Sequence, residues 1–322
     1  MTDGRLGLVL NPRGHMVARK GSVLETAAQA LPGVPFLRIE DFSELSTGLA
    51  QMARAGVDRL AVEGGDGTVL AVLSHCMDPA TGFARMPALS ILPGGSTNLA
   101  WEACGMMRRD RAGTIERLRE LDTAADPGPN VRQRALHVAC AHLPRAEVGF
   151  LLSTGTLARA MRYTQRNFHG EGRRGAVDVA RAVAHFVLTP HRYRDGDGLP
   201  LLRASDLDAV LDGRALTGSH ALSLMSTLPR LSLGLRPFWG AGDAPIALTH
   251  AAWPIRGFRR AVLKILLHRT GPALSRHGLT SYRAGRVTLH HDGPIMIDGE
   301  WLSLPAGAEL TVTATEPLEF LQ

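Results

Sequence analysis

Three apolar runs in the first third of the chain each open directly into a tight loop. Arg5–Leu10 leads into Asn11-Pro12-Arg13-Gly14, Leu60–Val62 into Glu63-Gly64-Gly65-Asp66-Gly67-Thr68, and Leu89–Leu92 into Pro93-Gly94-Gly95-Ser96-Thr97-Asn98. Helix-compatible stretches lie at Ser22–Ala30, Glu44–Ala55, Thr68–Cys76 and Leu99–Cys104, with a further short strand at Phe36–Ile39. Such alternation restricts the fold to a parallel sheet covered by helices, a Rossmann-like α/β domain. The loops that follow the strands of such a sheet gather at one edge, where ligands bind.

The chemistry of that edge is set by glycine and by one carboxylate. A glycine-rich turn between a strand and a helix aims backbone N–H groups and the positive end of a helix dipole at one spot, which suits phosphate. Gly64, Gly65 and Gly67 permit positive φ and close approach of a bulky anion. Asp66 cannot bind phosphate directly. It fits if Mg²⁺ lies between the two, or if it takes a proton from an attacking hydroxyl. The alternative is a plain turn with Asp66 or Thr68 capping the helix. Ser96, Thr97 or Asn98 could likewise cap the helix after the Gly95 loop, and Asn11-Pro12-Arg13-Gly14 alone reads as a turn. It is not a Walker A loop, because Arg19 stands where the second glycine belongs.

Asp126-Pro127-Gly128-Pro129-Asn130 is a breaker cluster. It divides an α/β domain, residues 1–130, from a mainly-β, antiparallel domain that starts at residue 131. Strands are expected there at Ala135–Ala139, Leu216–Met225, Ile246–Thr249, Arg286–His290 and Ile295–Ile297, with helical inserts at Leu157–Gln165 and Ala176–Leu188. Asp298-Gly299-Glu300 follows the last of these strands. By spacing it is a hairpin turn; functionally it is a pair of carboxylates around a glycine. The thirteen histidines offer no metal-spaced pair, and His290-His291 point to opposite faces of a strand.

Charge adds a partner class. The formal charge is +6 and the pI about 9.9, carried almost wholly by arginine, since lysine occurs only as Lys20 and Lys264. Anionic partners follow. Pro254–Arg269 is expected to be an amphipathic helix starting at Pro254, with Arg256, Arg260, Lys264 and His268 along one face. Ile255, Phe258, Val262 and Ile265 lie elsewhere, and Leu263 and Leu267 interrupt the polar face. It reads equally as a packed surface helix or as a helix resting on an anionic bilayer, where each basic residue contributes roughly 1 kcal/mol. The cluster Arg159, Arg162, Arg166, Arg173 and Arg174 favours the membrane. Nucleic acid is supported by pI alone and is not expected. Cys76, Cys104 and Cys140 have no metal spacing and imply a reducing compartment. No apolar run reaches the roughly 20 residues that span a bilayer. The expectation is a cytoplasmic protein, peripheral on the inner face of the membrane, with a homodimer compatible.

In this order, Asn11-Pro12, Gly64-Gly65-Asp66-Gly67-Thr68, Pro93-Gly94-Gly95-Ser96-Thr97-Asn98 and Asp298-Gly299-Glu300 resemble the diacylglycerol kinase catalytic-domain family, which includes bacterial diacylglycerol, sphingosine and ceramide kinases. The first glycine loop is shared with NAD kinases; the second loop and the Asp-Gly-Glu turn favour lipid kinases. The resemblance implies ATP and Mg²⁺ in a cleft between an α/β nucleotide domain and a β-sandwich-like lipid domain, residues 131–304, with residues 305–322 returning to the first domain. It implies that Asn11, Gly64, Gly65, Asp66, Gly67, Thr68, Gly95, Ser96, Thr97 and Asn98 hold ATP. Asp298 would be the general base with Glu300 assisting at the metal, and Asp66 would bind Mg²⁺ through the phosphates or act as the base. The acceptor would be a diacylglycerol-like or ceramide-like lipid at an anionic membrane surface. An NAD kinase, or a catalytically silent nucleotide or lipid sensor, are the alternatives. Two positions depart from the family: Leu99 stands where an Asp is usual, and Gly242-Asp243-Ala244-Pro245 lacks the second Asp of a structural Mg²⁺ segment.

Overall fold

The structure is a computed structural model that describes residues 5–128, 130–167, 185–186 and 188–322. The chain forms two compact units. The first comprises residues 1–134, 145–149 and 315–322, and the second 135–144 and 150–314.

The first unit is built on β1 (Leu6–Leu10), β2 (Phe36–Arg38), β3 (Arg59–Gly64), β4 (Ala88–Pro93) and β5 (Asn130–Gln133). A terminal strand, Leu318–Leu321, completes the sheet in the order β2-β1-β3-β4-terminal-β5. All pairings are parallel except that of β5 with the terminal strand. β1 and β3 are buried at every residue, as a sheet covered on both faces requires. Among the described residues six α-helices accompany it: α1 (His15–Lys20), α2 (Val23–Ala30), α3 (Leu45–Arg54), α4 (Asp66–Met77), α5 (Leu99–Cys104) and α6 (Arg111–Thr123). Ser22 caps α2 by accepting from the Glu25 amide, as its sequence position predicts. β5 keeps residues 130–133 with this unit. The expected return of 305–322 narrows to 315–322, because Leu310 and Val312 alternate inward in a strand of the second sheet.

The second unit is a sheet of antiparallel pairings. Its strands are β6 (Leu136–Ala139), β8 (Leu151–Gly155), β9 (Ser205–Leu211), β10 (Arg214–Ser226), β11 (Ile246–Ala252), β12 (Leu279–Ala284), β13 (Arg286–His291), β14 (Ile295–Ile297), β15 (Glu300–Leu302) and β16 (Glu309–Ala314). The short β7 (Glu147–Gly149) belongs to the first unit and packs on α4. The hydrogen-bonded order runs β15-β14-β8-β10-β9-β13-β16-β6, with β11 and β12 branching from β10. Helix α7 (Thr156–Asn167) follows β8. The expected helix Ala176–Leu188 falls largely outside the described residues, as do Arg173 and Arg174. The basic helix, α8 (Phe258–Leu266), is shorter than Pro254–Arg269 predicts. Gly257 precedes it at φ 66, outside helical backbone, so Pro254 is not its first residue.

Three histidines meet inside this unit. His220 of β10 stacks on His250 of β11 at 5.7 Å and meets His291 of β13 edge-on at 4.9 Å. All three are buried. His220 donates to the Ser205 carbonyl (2.8 Å) and His291 to that of Asp206 (2.9 Å), while Ser223 bonds His250 (3.0 Å). Among the described residues, no group of three or more His, Cys, Asp or Glu is placed to hold a metal. No described helix is long and apolar enough to cross a membrane.

Candidate active site

The three glycine-bearing loops of the first unit meet backbone to backbone. The Gly94 amide donates to the Gly64 carbonyl (2.9 Å), Asn11 N–H to Glu63 (2.9 Å), and Met16 N–H to Gly94 (2.8 Å). A Cβ on Gly94 would lie 2.6 Å from the Gly64 Cα, and one on Gly95 would lie 2.5 Å from the Gly65 Cα. On Gly14 it would lie 2.7 Å from the Gly94 carbonyl oxygen. No side chain fits at these positions, so glycine is required by contact between loops rather than by positive φ. The Asn11 side-chain amide donates to the Thr68 hydroxyl (2.9 Å), tying the first loop to the second. Asn98, at φ 53, accepts from the Gly95 amide (2.8 Å) and donates to its carbonyl (3.0 Å), bracing the third.

Helix α4 begins in the middle of this cluster. Its N-cap is Gly65, and no side chain caps it. The first-turn amides of a helix have no intrahelical acceptor and carry the positive end of the dipole. Neither Asp66 nor Thr68 caps α4, so the plain-turn alternative does not account for them. Nor does Asn98 cap α5. The side chains of Ser96 and Thr97 are exposed. The structure therefore gathers Asn11, Gly64, Gly65, Asp66, Gly67, Thr68, Gly95, Ser96, Thr97 and Asn98 at one edge, around an open helix N-terminus.

Two carboxylates organise this edge by capping helices other than their own. Glu63, buried at the end of β3, accepts from the Ser22 hydroxyl (2.6 Å), the Leu24 amide (2.9 Å) and the Val23 amide (3.1 Å). It neutralises the N-terminus of α2, so that helix is closed to an anion. Asp66 accepts from the Ala100 amide at the start of α5 (3.0 Å). Burial pushes the Asp66 carboxyl above its usual range, against the amides of Ala100, Leu99 and Asn98, which favour the charged form. A carboxylate with enhanced proton affinity beside an anion site is a candidate for acid–base work. Glu63 was missed as a site organiser by sequence reading. Its signal is a lone charge ending an otherwise apolar strand.

The residues fit a nucleoside phosphate. The glycine contacts leave a smooth backbone surface, and α4 offers uncapped amides. A hollow of about 290 Å³ adjoins Pro93, lined by Met16, Lys20, Trp101, Met106 and Arg108. The Arg108 guanidinium stacks on the Trp101 ring at 4.8 Å. A Mg²⁺ ion also fits, with Asp66 as a protein ligand and phosphate oxygens supplying others, since this ion is commonly held by one or two carboxylates plus substrate.

In the second unit, β14 and β15 pair with Ile297 opposite Glu300, leaving Asp298 and Gly299 as a two-residue turn. Their φ values, 47 and 91, are both left-handed, as a type I′ hairpin demands. The Asp298 carboxylate accepts from the Phe150 (2.8 Å) and Leu151 (2.8 Å) amides, and its own amide donates to Leu151 (2.9 Å). The hairpin is thus clamped to the start of β8. Glu300 is exposed beside it, and Arg162 of α7 stacks on Trp301 at 5.1 Å.

Residues 5–128 match the family described as the diacylglycerol kinase catalytic domain. No curated protein matches the chain. Among solved structures, a diacylglycerol kinase from Bacillus anthracis str. Sterne is similar over 100% of this chain and 97% of its own, at 12% identity and a TM-score of 0.59. A candidate diacylglycerol kinase from the same strain is similar over 100% and 98%, at 13% identity and a TM-score of 0.65. At such identity the likeness carries the fold, and it does so along the whole chain.

Proposed function

From the match of residues 5–128 to the diacylglycerol kinase catalytic-domain family, we propose that the chain is an ATP-dependent kinase acting on the hydroxyl of a diacylglycerol-like or ceramide-like lipid. The observation that carries this reading is the interlocked glycine edge around the uncapped N-terminus of α4. In this reading the amides of Gly65, Asp66 and Gly67 and the hydroxyls of Ser96 and Thr97 hold the phosphates. Trp101 and Arg108 flank the nucleoside. Asp66 together with the phosphate oxygens would hold Mg²⁺, which would supply charge neutralisation. Phosphoryl transfer needs little covalent help from the protein, so catalysis rests on positioning and charge.

Asp298 accepts the proton of the acceptor hydroxyl, with Glu300 beside it. A second reading gives that role to Asp66. It is favoured by one observation: burial raises the proton affinity of Asp66, whereas Asp298 already accepts two backbone amides. The base is the residue whose Asn variant abolishes turnover while ATP still binds and whose loss removes the acid limb of the pH–rate profile.

The test of the function is transfer from labelled ATP to a panel of diacylglycerol, monoacylglycerol, ceramide, sphingosine and NAD. Label in a neutral lipid is expected. Label in NAD alone, or in none of the panel, overturns the reading. So does undiminished turnover in both Asp66→Asn and Asp298→Asn.

A further inference from the structure

No aspartate or glutamate occurs between Asp243 and Asp292, while arginines recur throughout that stretch. Helix α8 lies at its centre. On its inner side, Ala261 is buried and joins Ala221, Ala251, Leu274 and Leu279, with Ile265 packed against them. At 100° per residue, the side opposite Ala261 carries Leu263 and Leu267. Both are 54% exposed, and Leu266 beside them is 42% exposed. Arg259 stands at the head of this leucine row, and Arg260 and Lys264 border it along one side. Among the described residues none of these cations forms an ion pair, nor do Arg256, Arg269 and Arg276.

The apolar surface continues past the helix. Trp253 precedes it and is exposed. The Arg259 guanidinium donates to the Leu188 carbonyl (2.6 Å), bringing a further exposed leucine alongside. An open hollow of about 620 Å³ lies against the start of α8, lined by Pro190, Phe258 and the arginines 256, 259, 260 and 276.

We propose that α8 and its flanks dock on an anionic phospholipid bilayer, with Leu263 and Leu267 below the headgroups and the flanking cations against lipid phosphates. An apolar row bordered by unpaired cations is the pattern of a helix lying in the membrane interface. Nucleic acid would use the arginines and leave the leucines without purpose. A second copy of the chain would set one cationic face against another, at a cost in repulsion. The surface belongs to the second unit and the glycine edge to the first, and docking does not require phosphotransfer.

The test is co-sedimentation of the full chain with two kinds of vesicle, phosphatidylcholine alone and phosphatidylcholine with about one-third phosphatidylglycerol. Preferential binding to the anionic vesicles is expected. Leu263→Ser/Leu267→Ser should weaken it roughly tenfold, the scale of burying two half-exposed leucines. Arg259→Glu/Arg260→Glu should remove the preference for anionic lipid. These side chains are exposed, so an unchanged melting temperature shows that each variant is folded. Equal binding to both vesicles overturns the proposal, as does full binding by the leucine variant. Binding to duplex DNA that survives loss of the leucines assigns the surface to nucleic acid. A dimer that dissociates in the leucine variant assigns it to self-association. Lipid phosphorylation in detergent micelles, read separately, reports on the kinase assignment alone.

Discussion

Acidification should unlock the second unit through its histidine cluster. Burial holds His220 and His250 each at about 4, against an ordinary value of 6.5, and pushes His291 down as well. For His220 the neighbouring His291, His250 and Arg159 add repulsion, while the Ser205 carbonyl opposes it. Asp206 and Asp292 face His291 and work the other way. Arg159 is itself held down to about 10 by burial, so it adds a buried cation to the cluster. Because the folded pKa values are depressed, the unfolded chain binds more protons between pH 6.5 and about 4. Stability is then present above pH 6.5 and declines as pH falls through that window. Between about pH 7.5 and pH 5, one such site removes about 2 kcal/mol, and two remove about 4. That is a large part of the roughly 5–15 kcal/mol that holds a domain together. The assay is urea unfolding across this range. With a slope of about 3 kcal/mol/M, the midpoint of the second unit should fall by more than about 1 M. His220→Gln/His250→Gln should flatten the dependence. Asp41 and Asp195 have lowered values and act mainly below pH 3.8, so they do not imitate the effect. A constant midpoint in the wild type, or an unaltered slope in the double variant, refutes the reasoning.

Other perturbations test the first unit and the hairpin. Gly94→Ala drives a methyl into the backbone of Gly64 and should cost about 1–3 kcal/mol in thermal unfolding, with weaker ATP binding by calorimetry. Glu63→Gln replaces one acceptor facing Ser22, Val23 and Leu24 with a donor and should cost about 1–3 kcal/mol. Asp66→Ala should lose about 1 kcal/mol of α5 capping that Asp66→Asn retains, measured as melting temperature. Asp298→Ala should destabilise more than Asp298→Asn, by about 1–2 kcal/mol in urea, because it removes the acceptor used by Phe150 and Leu151.

The strands and helices around the glycine loops were legible because each apolar run stops abruptly at glycine, and one fold class satisfies that punctuation. Leu99–Cys104 and Ile295–Ile297 fall where their patterns place them. Helix α1 is not legible: six residues with one buried side chain give no periodicity. β9 could have been read, since Leu207, Ala209 and Leu211 alternate inward. The residues of the glycine edge were legible as a set, but not what fixes them. Glu63 reaches back 41 positions to Ser22, and Asp66 reaches forward 34 to Ala100. Such contacts are written in no local pattern. Likewise the Asp-Gly dipeptide announces a turn, yet nothing nearby announces that its carboxylate clamps Phe150, 148 positions away.

The terminal strand has a consequence for how the chain is made. Leu318–Leu321 lies between β4 and β5, and the Leu321 carbonyl accepts from the buried Ser90 hydroxyl (3.0 Å). Arg117 of α6 donates to Gln322. On the ribosome, residues 318–321 emerge only after the whole second unit has been synthesised. Until then β4 is paired on one edge only, with β3, and the slot between β4 and β5 is unfilled. The second unit is therefore free to fold before that sheet is complete, and the first unit, although it leads the chain, is the one whose sheet closes last. A chain truncated after residue 317 and released from the ribosome should carry a protease-sensitive first unit and a protected second one.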